Sequence, residues 1–209
     1  MPTIESYPLD AFLSRQLARG RLWFTREGAL RTLTAALSQL IRKGRTANPR
    51  HGFYLILRPQ DEGAPNPAQW IDPLMKHKSG DYRVSRLTAA RQHGAATQAS
   101  QFQVIVPRQL RDLAIGRQRL AFVARAQSVF TRSNRTEWLV ETKTKTSVAI
   151  AAGIELTLPD CARYFHKAGG ISAVAQVLRD LGAKALAGKS PPIAQRGSTP
   201  DPGRHRIAA

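Results

Sequence analysis

The segment from residue 31 to residue 51 contains the side chains best suited to chemistry, and that chemistry is the recognition of nucleic acid. An apolar stripe at helical spacing predicts an amphipathic helix here, formed by Leu33, Leu37, Leu40 and Ile41. The opposite face carries short or hydrogen-bonding side chains flanked by arginine, which suits close approach to base edges in a DNA groove. The residues of this face are Arg31, Thr34, Ala35, Ser38, Gln39 and Arg42.

The elements around this helix must position it. Leu9, Phe12, Leu13 and Leu17 predict a helix over residues 8–19, and the hydroxyl of Thr25 can cap a second, short helix. Gly44 is suited to end the 31–42 helix. Residues 45–48 and 53–57 then predict a hairpin whose 49–52 turn presents Arg50 and His51 to phosphate, although a solvated turn residue is an equal interpretation of His51.

The order of helices and hairpin outlines a winged helix-turn-helix, a module that lays one helix in the DNA major groove, over residues 1–58. Within its second strand, Phe53, Leu55 and Leu57 share one face, which we expect to pack on the helices.

Beyond this module, residues 59–69 are rich in proline and glycine and predict a linker. Residues 70–188 predict an α/β domain with helices over 69–78, 84–93, 155–167 and 171–181. Its strands are expected over 102–106, 119–124 and 147–151. The remaining 189–209 predict a disordered basic tail. The fold class is therefore α+β, a winged helix-turn-helix followed by a mixed α/β domain.

The charge balance indicates a polyanionic partner. The 209 residues contain 32 Lys and Arg against 14 Asp and Glu, a formal net charge of +18, and the basic excess extends along the chain. Neutralising phosphates with such cations releases condensed counterions, which drives binding to nucleic acid. The competing interpretation is that the charge reflects only an arginine-rich genome.

Few residues favour catalysis or a cofactor. Cys161 is the only cysteine, so an internal disulfide and a multi-cysteine metal site are excluded. Cys161 and His166 are five residues apart on a predicted helix and point to different faces, so a nucleophile–base pair is not expected. His93 precedes a glycine at a helix end, which favours a structural role. No cofactor is expected, nor any metal.

One enzymatic alternative remains open. The triplet Glu141-Thr142-Lys143 follows a predicted strand, with Asp112 upstream. Metal-dependent nucleases place an Asp and a Glu on a divalent cation and a Lys on the scissile phosphate. The triplet is a weak signal, and an exposed polar turn is the favoured interpretation of it.

The order of several short motifs resembles a known family. They include Trp23-Phe24-Thr25, Gly52-Phe53-Tyr54, Trp70-Ile71-Asp72-Pro73-Leu74-Met75, Ala89-Ala90, His93-Gly94-Ala95, Phe102-Gln103-Val104, Glu155-Leu156-Thr157-Leu158 and Asp160-Cys161-Ala162-Arg163-Tyr164. Over residues 5–185 the chain resembles the AbiEi antitoxins of type IV toxin–antitoxin systems. It departs from the family at Pro159, where an apolar helix former is expected.

The resemblance implies a repressor that binds inverted repeats in double-stranded DNA of its own promoter and also neutralises a toxin. That toxin would be an AbiEii-like nucleotidyltransferase, usually described as countered without a stable complex. Base contacts would come from the outward face of the 31–42 helix. Phosphate contacts would come from Arg42, Lys43, Arg45, Arg50 and His51.

These implications predict a non-enzymatic protein in the cytoplasm, associated with the nucleoid and without a membrane segment. The chief alternative is an accessory protein that binds nucleic acid without sequence preference. Trp23, Phe24, Phe53 and Tyr54 lie near the basic region, but their core-like spacing does not favour a base-stacking platform.

Overall fold

The computed structural model describes residues 7–27, 31–58, 63–97 and 99–186, with side chains for 10–27, 37–58, 63–97 and 99–185. The first part of the chain contains two helices and a three-stranded sheet. Its elements in order are α1 (Tyr7–Ala18), β1 (Trp23–Thr25), α2 (Arg31–Arg42), β2 (Thr46–Arg50) and β3 (Phe53–Ile56). The strands are arranged β1-β3-β2, with both pairs antiparallel.

The helix predicted over residues 8–19 is confirmed as α1, and the amphipathic helix predicted from the Leu33 to Ile41 stripe is confirmed as α2. Gly44 follows α2 with φ +63°, a left-handed conformation that ends the helix as predicted. The strand β1 was not predicted, because three residues are too few to show alternation. Arg26 and Glu27 form a turn after it, and the rest of the expected short second helix lies outside the described residues.

The hairpin faces differ from the prediction. Tyr54 and Ile56 pack on α1 and α2, in a cluster with Phe12, Phe24, Leu37 and Leu40. Phe53 and Leu55 lie on the opposite face and join the core of the second part of the chain. The predicted packing of that face on the helices was therefore wrong. Both faces of β3 are buried, so one face packs on the helices and the other on the second part of the chain.

The second part of the chain is a mixed sheet covered by helices. After the 3₁₀ turn Pro67–Gln69, its helices are α3 (Ile71–His77), α4 (Arg86–Gln92), α5 (Gln127–Ser133), α6 (Ile154–Arg163) and α7 (Gly170–Leu186). Its strands are β4 (Arg83–Val84), β5 (Phe102–Val106), β6 (Leu113–Ile115), β7 (Gln118–Ala124), β8 (Leu139–Lys143) and β9 (Val148–Ala152). The predicted strands at 102–106, 119–124 and 147–151 are confirmed as β5, β7 and β9.

The six strands lie in the order β6-β7-β5-β4-β9-β8. The pairs β5–β7 and β4–β9 are parallel, and the remaining neighbours are antiparallel. Strands β4, β6 and β8 were not predicted, nor was α5, because they are short or polar. The predicted 84–93 helix begins after β4 instead, at Arg86.

The main core joins the two parts of the chain. Trp70, Leu74 and Met75 are buried and pack with Phe53, Leu55 and the apolar residues of β4, β5, β7 and β9. The described part of the predicted linker is packed as well, since Ala64 is buried and Pro65 accepts a hydrogen bond from Trp70 Nε1 at 3.0 Å. The first sheet is therefore fixed against the second.

The C-terminal helices close the other face of the sheet. The predicted 155–167 helix is divided into α6 and a 3₁₀ turn at Phe165–Lys167, and α7 continues to residue 186. Pro159 lies inside α6, where its ring leaves one backbone hydrogen bond unmade. The predicted tail from residue 189 lies outside the described residues. Within the described residues, no helix is long and apolar enough to cross a membrane.

Candidate nucleic-acid interface and buried arginine cluster

The outer face of α2 carries part of the predicted DNA-binding set. Leu37 and Leu40 are buried against the first sheet, which fixes the orientation of the helix. Ser38, Arg42 and Lys43 are consequently exposed, and Gln39 is half-buried. Residues 31, 34 and 35 also lie in α2, but the side chains of Arg31, Thr34 and Ala35 are outside the described part of the structure.

Arg45 is close to this face but already has an acidic partner. Its Nη1 lies 3.2 Å from Oδ1 of Asp10 in α1, and both side chains are about half exposed. An ion pair of this exposure contributes little to stability, about 0–1 kcal/mol. It nevertheless occupies the Arg45 guanidinium and offsets its charge.

Arg50 points away from the α2 face and into the second part of the chain. Its guanidinium lies 5.7 Å from the centre of the Phe122 ring and donates a hydrogen bond to the carbonyl of Arg111. Burial lowers the pKa of Arg50, and the neighbouring Arg111 lowers it further. The structure therefore does not bring Arg50 together with Arg42 and Lys43.

His51 lies at the hairpin turn, with its side chain exposed. Its carbonyl oxygen is 3.1 Å from Nε2 of His77, which donates to it from α3. The turn is formed by His51 and Gly52, shorter than the predicted 49–52 turn, and Gly52 adopts φ +77°. The hairpin tip is thereby tied to the second part of the chain.

A buried polar cluster was missed by the sequence analysis. Asp160 in α6 is 2% exposed and accepts from Arg83 Nη2 at 3.0 Å, Arg125 Nη1 at 3.2 Å and Ser85 Oγ at 2.7 Å. Arg83 is fully buried and also donates to Ser133 Oγ, at 3.3 Å. One sequence feature could have indicated this cluster, namely that Arg83 and Arg125 are each directly adjacent to an apolar strand residue.

Arg86 adds a third buried guanidinium beside this cluster. It is 1% exposed, adopts φ +56°, and its guanidinium lies 5.9 Å from the centre of the Tyr164 ring. Burial lowers the pKa of Arg86 and of Arg125, and in each case the negative charge of Asp160 opposes the effect. Since Asp160 connects β4, the end of β7 and α6, the cluster determines how α6 packs on the sheet.

His93 and Cys161 have structural positions, as predicted. His93 Nε2 lies 2.7 Å from the carbonyl of Ala152 and links the end of α4 to β9. Cys161 is fully buried on α6, and burial raises the pKa of its thiol to about 12. His166 lies in the 3₁₀ turn that follows and is exposed, so the two residues do not form a nucleophile–base pair.

The residues of the nuclease alternative are not brought together. Glu141 and Lys143 lie in β8 at one edge of the six-stranded sheet, and Asp112 directly precedes β6 at the other edge. Four strands separate these edges, which places the two edge strands about 24 Å apart. Asp112 instead accepts a hydrogen bond from the Phe122 backbone at 2.8 Å. Elsewhere in the described ranges, no group of three His, Cys, Asp or Glu residues could hold a metal ion.

The fold and these sites define a two-part α+β protein whose second part is a mixed sheet with an arginine-rich interior. The family model of the AbiEi antitoxin C-terminal domain matches residues 83–189, just over half of the chain. The chain therefore belongs to the AbiEi antitoxin family, as the sequence motifs predicted. Its role is that of an antitoxin in a type IV toxin–antitoxin system, which implies a toxin as partner.

Among solved structures, the chain is similar to the crystal structure of the RV2827C protein from Mycobacterium tuberculosis. The two share 16% sequence identity and a TM-score of 0.56, and the match covers 85% of this chain and 70% of the other. At this identity the likeness concerns the fold alone. No curated protein matches the chain.

Proposed function

We propose that this antitoxin binds double-stranded DNA through its N-terminal part and represses its own operon. Repression would follow from occlusion of the promoter, without a catalytic step. In this proposal, residues 1–58 are the DNA-binding module and residues 70–188 are the antitoxin domain. The protein would act in the cytoplasm, at the nucleoid.

The topology of the first part supports this proposal. The order α1, β1, α2, β2, β3 and the sheet arrangement β1-β3-β2 are compatible with a winged helix-turn-helix, and in this proposal α2 is the reading helix. A complete helix-turn-helix also requires the short helix before α2. That segment falls largely on residues 28–30, outside the described part of the chain.

The observation that carries the proposal is the division of α2 into two faces. Leu37 and Leu40 hold one face on the sheet, Ser38 and Arg42 lie exposed on the rest of the helix surface, and the exposed Lys43 directly follows the helix. Serine can hydrogen-bond either base edges or phosphate, and the cations can neutralise phosphates. Arg31, Thr34, Ala35 and Gln39 complete the proposed reading face.

Arg45, Arg50 and His51 would contribute less to DNA binding than the α2 face. Arg45 and Arg50 have intramolecular partners, so a phosphate contact would require each to exchange that partner for DNA. His51 is exposed but lies at the hairpin tip that packs near α3. One reading helix contacts only a few base pairs, so two or more copies should occupy the inverted repeats of the promoter.

The toxin partner in this proposal is an AbiEii-like nucleotidyltransferase, countered without a stable complex. Family membership implies a toxin, and the identity of that toxin is the proposed part. Two experiments test it. Size-exclusion chromatography of the two purified proteins should show separate elution. Co-expression of the antitoxin with the toxin should nevertheless restore growth. Co-elution as one complex would contradict the proposed mode of action.

A gel-shift titration tests the DNA proposal. The protein is titrated against its own upstream region and against a scrambled duplex of equal length, at low and near-physiological salt. We expect a preference of about 1000-fold for the native duplex that persists at the higher salt. Equal binding to both duplexes that disappears with salt would instead indicate an accessory protein attracted by charge alone.

A double variant then tests the reading face. Ser38→Glu with Arg42→Glu should abolish specific binding, because two negative charges would face the phosphates. The matched control is Ser128→Glu with Arg132→Glu on α5, where both residues are exposed and have the same spacing. Unchanged binding of the α2 variant, or equal loss in the control, would refute the assigned face.

A further inference from the structure

Strand β8 forms an open edge of the six-stranded sheet. It pairs with β9 on one side, and in the part of the chain that the structure describes no strand pairs with its other side. Val140 is 45% exposed, and Glu141 and Lys143 are exposed as well, so this edge is accessible to solvent. An open edge presents backbone N–H and C=O groups that can pair with a strand of another chain.

The hydrogen bonds of the β8–β9 hairpin determine which backbone groups of β8 point outward. At one end of the hairpin, the Gly153 N–H donates to the Trp138 carbonyl at 2.8 Å. At the other end, the Thr144 N–H donates to the Ser147 carbonyl, also at 2.8 Å. Bonded and non-bonded pairs alternate in an antiparallel ladder, so the even-numbered residues of β8 bond to β9. The N–H and C=O groups of the odd-numbered residues therefore point toward the open edge.

The charged side chains of β8 favour one register of pairing with a second copy of this strand. In a two-fold antiparallel pair centred on Thr142, Glu141 lies directly opposite Lys143 of the second copy, and the reciprocal pair forms at the same time. Both of these pairs consist of odd-numbered residues, so their outward backbone groups can bond to each other. A register centred on Glu141 or on Lys143 would instead place like charges opposite each other, which is unfavourable.

A register centred on Val140 is disfavoured by the backbone. It would use the N–H of Leu139 to bond the second copy, but that N–H already donates to the Thr136 carbonyl. The register centred on Thr142 does not need this donor. It also places the exposed Val140 diagonal to Thr142 of the second copy, which covers part of the apolar surface of Val140. Charge and backbone bonding therefore favour the same register.

We propose that two copies of this chain associate through antiparallel pairing of their β8 strands, with the two-fold axis at Thr142. This surface is separate from the α2 face, and the pairing requires no DNA. Only its role rests on the proposed function: a two-fold dimer presents two reading helices with the symmetry of an inverted repeat. The contact is small, so the free protein should dimerise weakly, at concentrations on the order of 100 µM.

Sedimentation equilibrium of the full chain without DNA tests this proposal. The natural chain should form dimers as its concentration approaches that range. Glu141→Lys alone and Lys143→Glu alone should each weaken dimerisation at least about 10-fold, because each places like charges opposite each other in both pairs. An equal mixture of the two variants should associate again, because opposite charges then face each other. The matched controls Asp81→Lys and Lys167→Glu make the same charge changes at exposed positions outside β8 and should leave dimerisation unchanged.

The mixture also separates a lost contact from a misfolded variant, since misfolded chains would not regain association. A natural chain that stays monomeric would overturn the proposal, as would single variants that dimerise normally or a mixture that stays monomeric. Dimers that are lost in Leu178→Asp but kept in Glu141→Lys would place the contact on the exposed side of α7 instead and overturn it as well. The Ser38→Glu/Arg42→Glu protein should dimerise normally while failing to bind DNA, which distinguishes this test from that of the DNA proposal.

Discussion

Asp160 holds two buried arginines at once, with its Oδ2 3.0 Å from Nη2 of Arg83 and its Oδ1 3.2 Å from Nη1 of Arg125. The carboxylate lies on α6, and the guanidiniums lie in β4 and directly after β7. This arrangement joins a C-terminal helix to the middle of the six-stranded sheet. Burying a guanidinium charge costs free energy, and for both arginines the single carboxylate of Asp160 offsets that cost.

Asp160→Asn should therefore be strongly destabilising. The substitution keeps the size of the side chain but leaves two buried guanidinium charges without a counter-charge, which costs about 3–5 kcal/mol. Urea unfolding followed by circular dichroism measures the change in unfolding free energy. Ser133→Ala, which removes one uncharged acceptor of Arg83, should cost only about 1–3 kcal/mol. A smaller loss for Asp160→Asn than for Ser133→Ala would contradict the central role of the carboxylate.

Cys161 should make stability fall in alkaline solution. Burial raises the pKa of the folded thiol to about 12, whereas the thiol of the unfolded chain ionises near pH 8.5. The stabilisation is thus complete below about pH 8.5 and is lost as pH rises toward 12. Near pH 10 the thiol accounts for a loss of about 2 kcal/mol.

The measurement is urea unfolding at pH 7 and pH 10 for the natural chain and for Cys161→Ala. The variant is less stable at pH 7, but its additional loss on going to pH 10 should be smaller by that amount. In the folded protein at pH 8, Cys161 should also react slowly with iodoacetamide. Equal pH dependence in the two proteins would refute the assignment.

The shared core should make the two parts of the chain unfold together. Leu55 belongs to the first sheet but is fully buried among Trp70, Leu74 and residues of the second sheet. Leu55→Ala should lower the unfolding free energy by about 2–5 kcal/mol. Val140→Ala on exposed β8 is the control and should change it by about 0.5 kcal/mol or less. Calorimetry should show one transition in both variants, and two resolved transitions in the natural chain would disprove the coupling.

Two glycines should respond in opposite directions to alanine. Gly52 has φ +77° at the hairpin turn, and an added Cβ would lie 3.4 Å from the His77 ring, so Gly52→Ala should cost about 1–2 kcal/mol. Gly182 lies inside α7 with open space around its Cα, so Gly182→Ala should add about 0.5–1 kcal/mol. Thermal unfolding of the two variants checks the signs. If Gly52→Ala raised the unfolding free energy instead, the left-handed backbone conformation at residue 52 would be excluded.

Asp10→Asn tests whether the ion pair with Arg45 restrains DNA binding. Removing the carboxylate frees the Arg45 guanidinium beside the proposed reading face, so affinity for duplex DNA should rise several-fold and its dependence on salt should become steeper. Stability should change by less than about 1 kcal/mol, because the pair is half exposed. The gel-shift titration at two salt concentrations measures both effects, with Asp81→Asn, an exposed acid elsewhere, as control. Weaker binding by Asp10→Asn would count against a phosphate contact from Arg45.

The sequence by itself determined the elements that depend on local periodicity. The stripe through Leu33, Leu37, Leu40 and Ile41 predicted α2, and Gly44 predicted its end, because helix geometry places residues three and four apart on one side. Leu37 and Leu40 are buried as this stripe requires, whereas Ile41 is 42% exposed. The apolar runs specified β5, β7 and β9, and the ordered motifs identified the AbiEi family.

Only the tertiary structure decided where the basic side chains point and which strands have two buried faces. Arg50 was predicted to be a phosphate ligand, and nothing in the local sequence indicated that Arg83 and Arg125 are buried. Their partners Phe122 and Asp160 are distant in sequence. Phe53 and Leu55 face a second core for the same reason. Such contacts are set by the packing of whole elements against one another, and local residue spacing carries no information about them.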